Sequence, residues 1–175
     1  LVLLPCSATK PYRLSQSHHR FLKNIPSNRV HQVMVTSPLG LVPRELEDIW
    51  PAAHYDIPVT GDWDADELDM INSMIADICK RSNYSYVIDH SGIDLSLDMA
   101  IAKGTRKGTA GSKESLSELN SSVMEAVEMY GLDDVSEKLN RIELMKSRSR
   151  FIHGTDDWLE GADVSGRPPI FSISK

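Results

Sequence analysis

The sequence predicts an α/β fold: a mostly parallel sheet with helices on both faces, a three-layer α/β/α sandwich. Three observations predict it. Short, continuous apolar runs such as Leu1 to Leu4 end at turn formers, as buried strands do. These runs alternate with stretches whose apolar residues recur at helical spacing. Polar residues follow the strand ends directly, at Cys6-Ser7, Thr36-Ser37 and Asp89-His90-Ser91. In such sheets ligands bind beyond the carboxyl ends of the strands.

The elements follow in order. Leu1 to Leu4, closed by Pro5, is the first strand, and a polar loop leads to a helix near Ser15 to Lys23. Val30 to Thr36 is the second strand, ending in the turn Ser37-Pro38-Leu39-Gly40. Pro43 suits the first turn of a short helix, Arg44 to Trp50, where its missing N–H is not needed. Tyr55 to Val59 reads as a third strand or extended segment. Asp66 to Lys80 is a helix with Leu68, Ile71, Ile75 and Ile78 on one stripe, and Asp64 with Glu67 forms its capping pattern. Tyr84 to Asp89 is a strand. Lys103 to Lys113, with three glycines, four basic residues and no acid, predicts a mobile loop. Two amphipathic helices close the chain: Glu114 to Tyr130, stopped by Gly131, and Asp134 to Arg150. Leu116, Leu119, Val123 and Val127 face inward on the first, and Val135, Leu139 and Ile142 on the second.

At 175 residues, 41% apolar and 25% charged, the chain is long enough for one domain with a real core, which excludes wholesale disorder. No apolar run reaches the roughly 20 residues of a membrane span, and no basic segment precedes the first apolar run as in a signal peptide. Two cysteines, Cys6 and Cys79, do not make a disulfide framework or a four-cysteine zinc site, and the cytoplasm is the expected compartment. The chain opens on strand-like sequence without Met and closes on the apolar run Ile170 to Ile173. We therefore read residues 1–165 as the core domain of a longer protein and 166–175 as a linker. A net charge of −6 and a pI near 5.5 argue against a protein that coats nucleic acid generally. The charge is segregated: Leu1 to Arg44 holds six basic residues and no acid, whereas Glu45 to Asp69 holds nine acids and no Lys or Arg. Such stretches either form two opposed surfaces or neutralise each other across a contact.

The chemistry-bearing residues cluster early. Cys6 stands at a strand end with Lys10, Arg13 and His18 near in sequence. Positive neighbours lower a thiol's pKa, and the thiolate is the nucleophile; the bland alternative is a small buried cysteine beside a polar loop. His18-His19 do not make a metal site, because adjacent helical residues point about 100° apart. Cys79 falls on the apolar face of its helix and reads as packing. Thr36, Ser37 and the following turn up to Arg44 either hold an anion or a base edge, or form an ordinary turn. Asp62 suits a helix cap, while Asp56 interrupts an apolar run without such an explanation. The basic loop from Lys103 and the basic end of the last helix offer phosphate contacts or plain solvated charge.

Pro5-Cys6, three residues, Lys10-Pro11-Tyr12, two residues, Ser15, two residues, His18 resembles the core motif of the archaeosine synthase family, archaeal relatives of tRNA-guanine transglycosylase. The run TSPLGLVPRELEDIWPAAHYDIPVTGDW resembles that family's second block. The resemblance spans Leu1 to Trp63 and implies an internal domain similar to the uracil-DNA glycosylase sandwich, followed by a PUA-type RNA-binding module. It implies a reaction on tRNA carrying 7-cyano-7-deazaguanine in its D-loop. An amine, lysine foremost, adds to the nitrile to give an amidine, and a partner radical-SAM enzyme then cleaves the adduct. No cofactor is expected in this domain. On that basis Cys6 is the nucleophile forming a thioimidate, and Lys10 lowers its pKa or holds a phosphate. Tyr12 or His18 moves protons, and Ser15 orients one of them. Thr36, Ser37 and Arg44 hold the base or backbone, and Asp56 receives the ammonium of the amine. Two other readings stay open. One is a tRNA-binding domain without chemistry; the other is a base glycosylase or base-exchange enzyme, in which Asp56 or Asp62 would activate water.

Overall fold

The computed structural model describes residues 1–27, 29–55, 62–82, 84–97 and 102–130, all within the compact unit Leu1–Ser136. Five strands form one sheet: β1 Val2–Pro5, β2 Gln32–Thr36, β3 Gly40–Pro43, β4 Val87–Asp89 and β5 Ala102–Gly104. Their order is β3-β2-β1-β4-β5. β1 pairs in parallel with β2 and β4, β4 in parallel with β5, and β3 alone is antiparallel. The helices are α1 Gln16–Asn24, α2 Ala65–Ser82 and α3 Lys113–Met129.

Alternation along β1 builds both cores. Val2 and Leu4 join Phe21 of α1 and Leu119 and Val123 of α3 on one face. Leu3 joins Ile71 and Ile75 of α2 on the other. Each face is covered by helix, so the predicted three-layer α/β/α sandwich is the observed architecture. Two helices match their predicted stripes closely. Asp64 Oδ1 accepts from the Glu67 N–H at 2.8 Å while Glu67 Oε2 accepts from the Asp64 N–H at 3.4 Å, the reciprocal cap that starts α2. The Ser112 hydroxyl accepts the Ser115 N–H at the start of α3. Among the described residues no helix is long and apolar enough to cross a membrane.

Three expectations change. The stretch after β2, read as a turn running into a helix, is a tight turn followed by β3. Gly40 closes that turn at φ +72°, where a β-carbon would also run into Met74 Sδ. The predicted helix from Arg44 to Trp50 reduces to a 3-10 turn over Arg44–Leu46 and further turns. The basic stretch from Lys103 is not a free loop. Lys103 and Gly104 belong to β5, and Arg106 Nη1 donates to the Ser91 carbonyl at 2.8 Å. The helix expected from Asp134, the Gly131 stop of the helix before it, and the strand from Tyr55 beyond that residue lie outside the described residues.

The segregated charge is partly resolved by contact. Arg13 Nε meets Asp48 at 2.8 Å and Arg44 Nη1 meets Glu47 at 3.2 Å, so the basic and acidic stretches neutralise each other there.

Leu119 is fully buried where α3 meets the sheet. Leu119→Ala is expected to lower the unfolding free energy by about 2–5 kcal/mol, whereas exposed Met124→Ala should stay within ~0.5 kcal/mol. Urea denaturation followed by circular dichroism reads both.

Candidate functional site

The site forms at the carboxyl ends of β1 and β2. Cys6 follows β1, half-buried, and Thr36 ends β2. Thr36 is near enough to the thiol to favour its ionised form, and its hydroxyl bonds the Tyr55 hydroxyl. Tyr55 in turn shares a hydrogen bond with the hydroxyl of Tyr12, whose ring is fully buried. Lys10 Nζ lies 4.1 Å from the centre of the Tyr55 ring, a cation–π contact that holds the ammonium beside the chain of hydroxyls. Cys6, Lys10, Tyr12 and Thr36 are thus brought together, with Tyr55 added. Burial pushes the Cys6 thiol up, against the opposing pull of Lys10 and of Thr36. Lys10 acts in the expected direction, and desolvation outweighs it, so the net shift is upward. Burial also raises Tyr12, which stays protonated and able to donate.

His18 takes a different place from the one expected. It is fully buried, with Nε2 3.1 Å from the Pro5 carbonyl and Nδ1 3.0 Å from Arg44 Nη2. Arginine only donates, so Nδ1 is the acceptor and Nε2 carries the proton given to Pro5. Burial first, then the charge of Arg44, lowers the ring's pKa to about 3. A neutral ring with both nitrogens occupied holds the strand end in place and is a poor proton shuttle.

Arg44 is likewise internal. Its guanidinium donates to Gln32 Oε1 at 3.1 and 3.2 Å, to Glu47 Oε2 at 3.2 Å and to His18. The reason is β3: the strand returns along β2, so Arg44 follows Pro43, the partner of Val33, rather than standing beside Thr36. The expected role in holding substrate does not fit this position. Ser15 is buried, and its hydroxyl accepts from Ser7 and bonds Ser17, each at 2.8 Å, rather than orienting Tyr12 or His18. The Ser37 hydroxyl donates to Glu67 of α2. Asp62 is exposed ahead of α2, whose cap is Asp64. Asp56 lies outside the described residues. Cys79 packs against the α2 core, as predicted.

Beneath the carboxyl edge runs a row of buried rings. Tyr12, His18, Phe21 and His90 succeed one another at centroid distances of 5.0, 5.1 and 5.3 Å. The row crosses from β1 to β4, where the connections leave in opposite directions and an open α/β sheet has its crevice. His90 Nε2 lies 2.9 Å from the Ala110 carbonyl and its Nδ1 2.7 Å from the Thr105 hydroxyl. Among the described residues no group of three or more His, Cys, Asp or Glu could hold a metal ion.

Two residues of the network escaped the sequence reading. Glu47 has a legible signal, an acid three positions after Arg44 in a short helical stretch. Tyr55 has none, because its partners are 43 and 19 residues away.

Residues 1–123 match the family model described as "Domain of unknown function (DUF5591)". The chain belongs to that family. This DUF5591 domain is similar to the archaeosine synthase of Methanocaldococcus jannaschii, 37% identical over 164 residues, covering 88% of this chain and 28% of that protein. It is 48% identical over 92 residues to archaeosine synthase subunit alpha of Methanosarcina acetivorans, covering 51% of this chain and 15% of the relative. The archaeosine synthase of Haloferax volcanii is 49% identical over 90 residues, with the same coverages of 51% and 15%. The chain thus spans well under a third of the length of these relatives, and the resemblance read from its first residues is borne out. A crystal structure of AF0587, a protein of unknown function, matches with a TM-score of 0.60 at 19% identity, covering 87% of this chain and 51% of that one, and shows the shared fold.

The buried pair gives a test. Arg44→Met leaves the Glu47 carboxylate, only 5% exposed, without its cation, and should cost about 3–5 kcal/mol. Adding Glu47→Leu should recover most of that loss, read by urea denaturation. His18 adds a pH signature. An unfolded histidine takes a proton near pH 6.5 and the folded ring only near 3, so the unfolded state binds more protons between them. Stability should therefore be full above pH 6.5 and fall as the pH drops toward 3, with a shallower fall in His18→Asn.

Proposed function

We propose that this DUF5591 domain serves archaeosine formation on tRNA and that the Cys6 cluster adds an amine, lysine, to the nitrile of 7-cyano-7-deazaguanine. The similarity to archaeosine synthases supports the tRNA-modifying role. The observation that carries the chemistry is the gathering of Cys6, Thr36, Tyr55, Tyr12 and Lys10 at one strand edge.

In this reading the Cys6 sulfur bonds to the nitrile carbon while its proton passes along the hydroxyls of Thr36, Tyr55 and Tyr12 to the nitrile nitrogen. One S–C bond forms, the C≡N bond becomes C=N–H, and the step needs no oxidant. Lysine nitrogen then bonds to the thioimidate carbon; the sulfur leaves and recovers a proton from that nitrogen, giving the amidine and free Cys6. The Lys10 ammonium favours the thiolate as it forms. Since burial raises the resting thiol, deprotonation belongs to the bound state, once the substrate has arrived. A partner radical-SAM enzyme would act on the lysine adduct afterwards.

One observation favours a second reading. His18 and Arg44 are fully engaged inside the domain and the thiol is held protonated, which also suits a module that grips tRNA without chemistry.

The discriminating experiment incubates tRNA bearing 7-cyano-7-deazaguanine with lysine and the protein containing this domain, and weighs the digested nucleosides. Wild type should yield the lysine adduct. Cys6→Ala should lose it by about 10³-fold or more, while Tyr55→Phe should slow it by roughly 10- to 100-fold. Full turnover by Cys6→Ala ends the covalent mechanism, and tRNA binding without any adduct from wild type favours the gripping module.

A further inference from the structure

A second feature opens on the face built by α1 and α3. An open hollow of about 430 Å³ is lined by Arg20 and Asn24 of α1, by Gly111, and by Lys113, Ser117 and Asn120 of α3. The two helices are tied there, with Asn120 Nδ2 donating to the Asn24 carbonyl at 3.3 Å. The Arg20 guanidinium lies across Gly111, with Nη1 3.5 Å from where a β-carbon would stand. No carboxylate lines the hollow.

The charge around it is selective. Lys103 is paired with Glu118 and Glu125 at 3.4 and 3.1 Å, and Lys107 with Glu118 at 2.8 Å. Among the described residues, no carboxylate pairs with Arg20 or Lys113. Arg20 and Lys113, with no carboxylate partner among the described residues of a chain with net charge −6, thus line one concavity together with amide and hydroxyl groups. A planar guanidinium with a mobile ammonium is the pairing that receives a phosphate, the first through its fork and the second as a point charge. The hollow is open and Leu116 is its one apolar side chain, so an apolar ligand would find little enclosure here.

Placement links the hollow to the site. α1 begins directly after the loop carrying Cys6, Lys10 and Tyr12, and α3 begins just beyond Ala110, whose carbonyl His90 holds at the end of β4. Lys113, the first residue of α3, therefore stands toward the carboxyl edge, and Arg20, midway along α1, lines the same hollow. We propose that the α1–α3 hollow seats a phosphodiester of the RNA strand whose modified base enters the Cys6 cluster. The inference rests on the tRNA reading above and adds to it the surface that receives the backbone. Phosphate contacts of this kind position the strand and leave base choice to the cluster.

The test measures binding of tRNA bearing 7-cyano-7-deazaguanine to the full chain across about 50 to 200 mM salt, where each neutralised phosphate adds ~0.7–0.9 to the log–log slope. The double variant Arg20→Gln, Lys113→Gln should bind roughly 10-fold more weakly and lose about 0.7–0.9 from the slope, the share of one phosphate. Lys107→Gln, which removes a lysine already paired with Glu118, should stay within about twofold. Amide resonances of Gly111, Ser117 and Asn120 should shift on adding the RNA and should not shift in the double variant. A double variant with wild-type affinity and slope overturns the seat while leaving the proposed function intact, provided the lysine adduct still forms. Wild type that neither binds the tRNA nor forms the adduct removes the tRNA reading and the seat with it. Amides that respond to inorganic phosphate but not to the RNA overturn it as well, in favour of a small-anion site.

Discussion

The largely buried guanidinium of Arg44 is the constraint on which the site's architecture depends. Removing such a charge from water costs several kcal/mol, and the fold meets that cost with Glu47, two bonds to Gln32 and the Nδ1 lone pair of His18. Each partner is positioned by the bargain in turn. His18 is held neutral and gives its one ring proton to the Pro5 carbonyl, which ends β1 at a defined point. Glu47 also accepts the Arg13 N–H at 2.9 Å, clasping the segment after β3 to the turn at Tyr12–Leu14. Through that clasp the chain that leads to Tyr55 returns to Tyr12.

Residues of one motif therefore divide into two kinds. Cys6, Lys10 and Tyr12 join the hydroxyl cluster at the strand ends, whereas Ser15 and His18 hold the loop that carries them. The same burial that makes the frame rigid works against a resting thiolate. A half-buried thiol with one nearby ammonium stays protonated in the resting domain, and in the proposed reaction the substrate supplies the place for the proton to go. The hydroxyl chain through Thr36 and Tyr55 offers that path without any titrating side chain of ordinary pKa near neutrality.

The legible parts of the fold were those with long periodic signals. α2 and α3 each run for four turns or more, so their stripes and their caps appear in the sequence. The two edge strands were not legible. β3 has four residues framed by Gly40 and Pro43, and β5 is Ala-Lys-Gly, with no alternation to read; both exist because a neighbouring strand offers them hydrogen bonds. Missing β3 had a direct cost for the site, since it left Arg44 beside Thr36 when the chain carries it away along β2.

The sequence by itself determined the fold class, the parallel core strands, the two long helices and the cluster's first members. Apolar periodicity and the spacing from Cys6 to His18 are local properties, written within a few turns of chain. Only the tertiary structure decided which polar residues meet water and which meet one another. Burial sets whether a histidine is a base or a strut, and whether a thiol is lowered by its lysine or raised by its desolvation. That burial is contributed by residues tens of positions away, at Arg44, Glu47 and Tyr55, whose approach depends on a strand too short to announce itself.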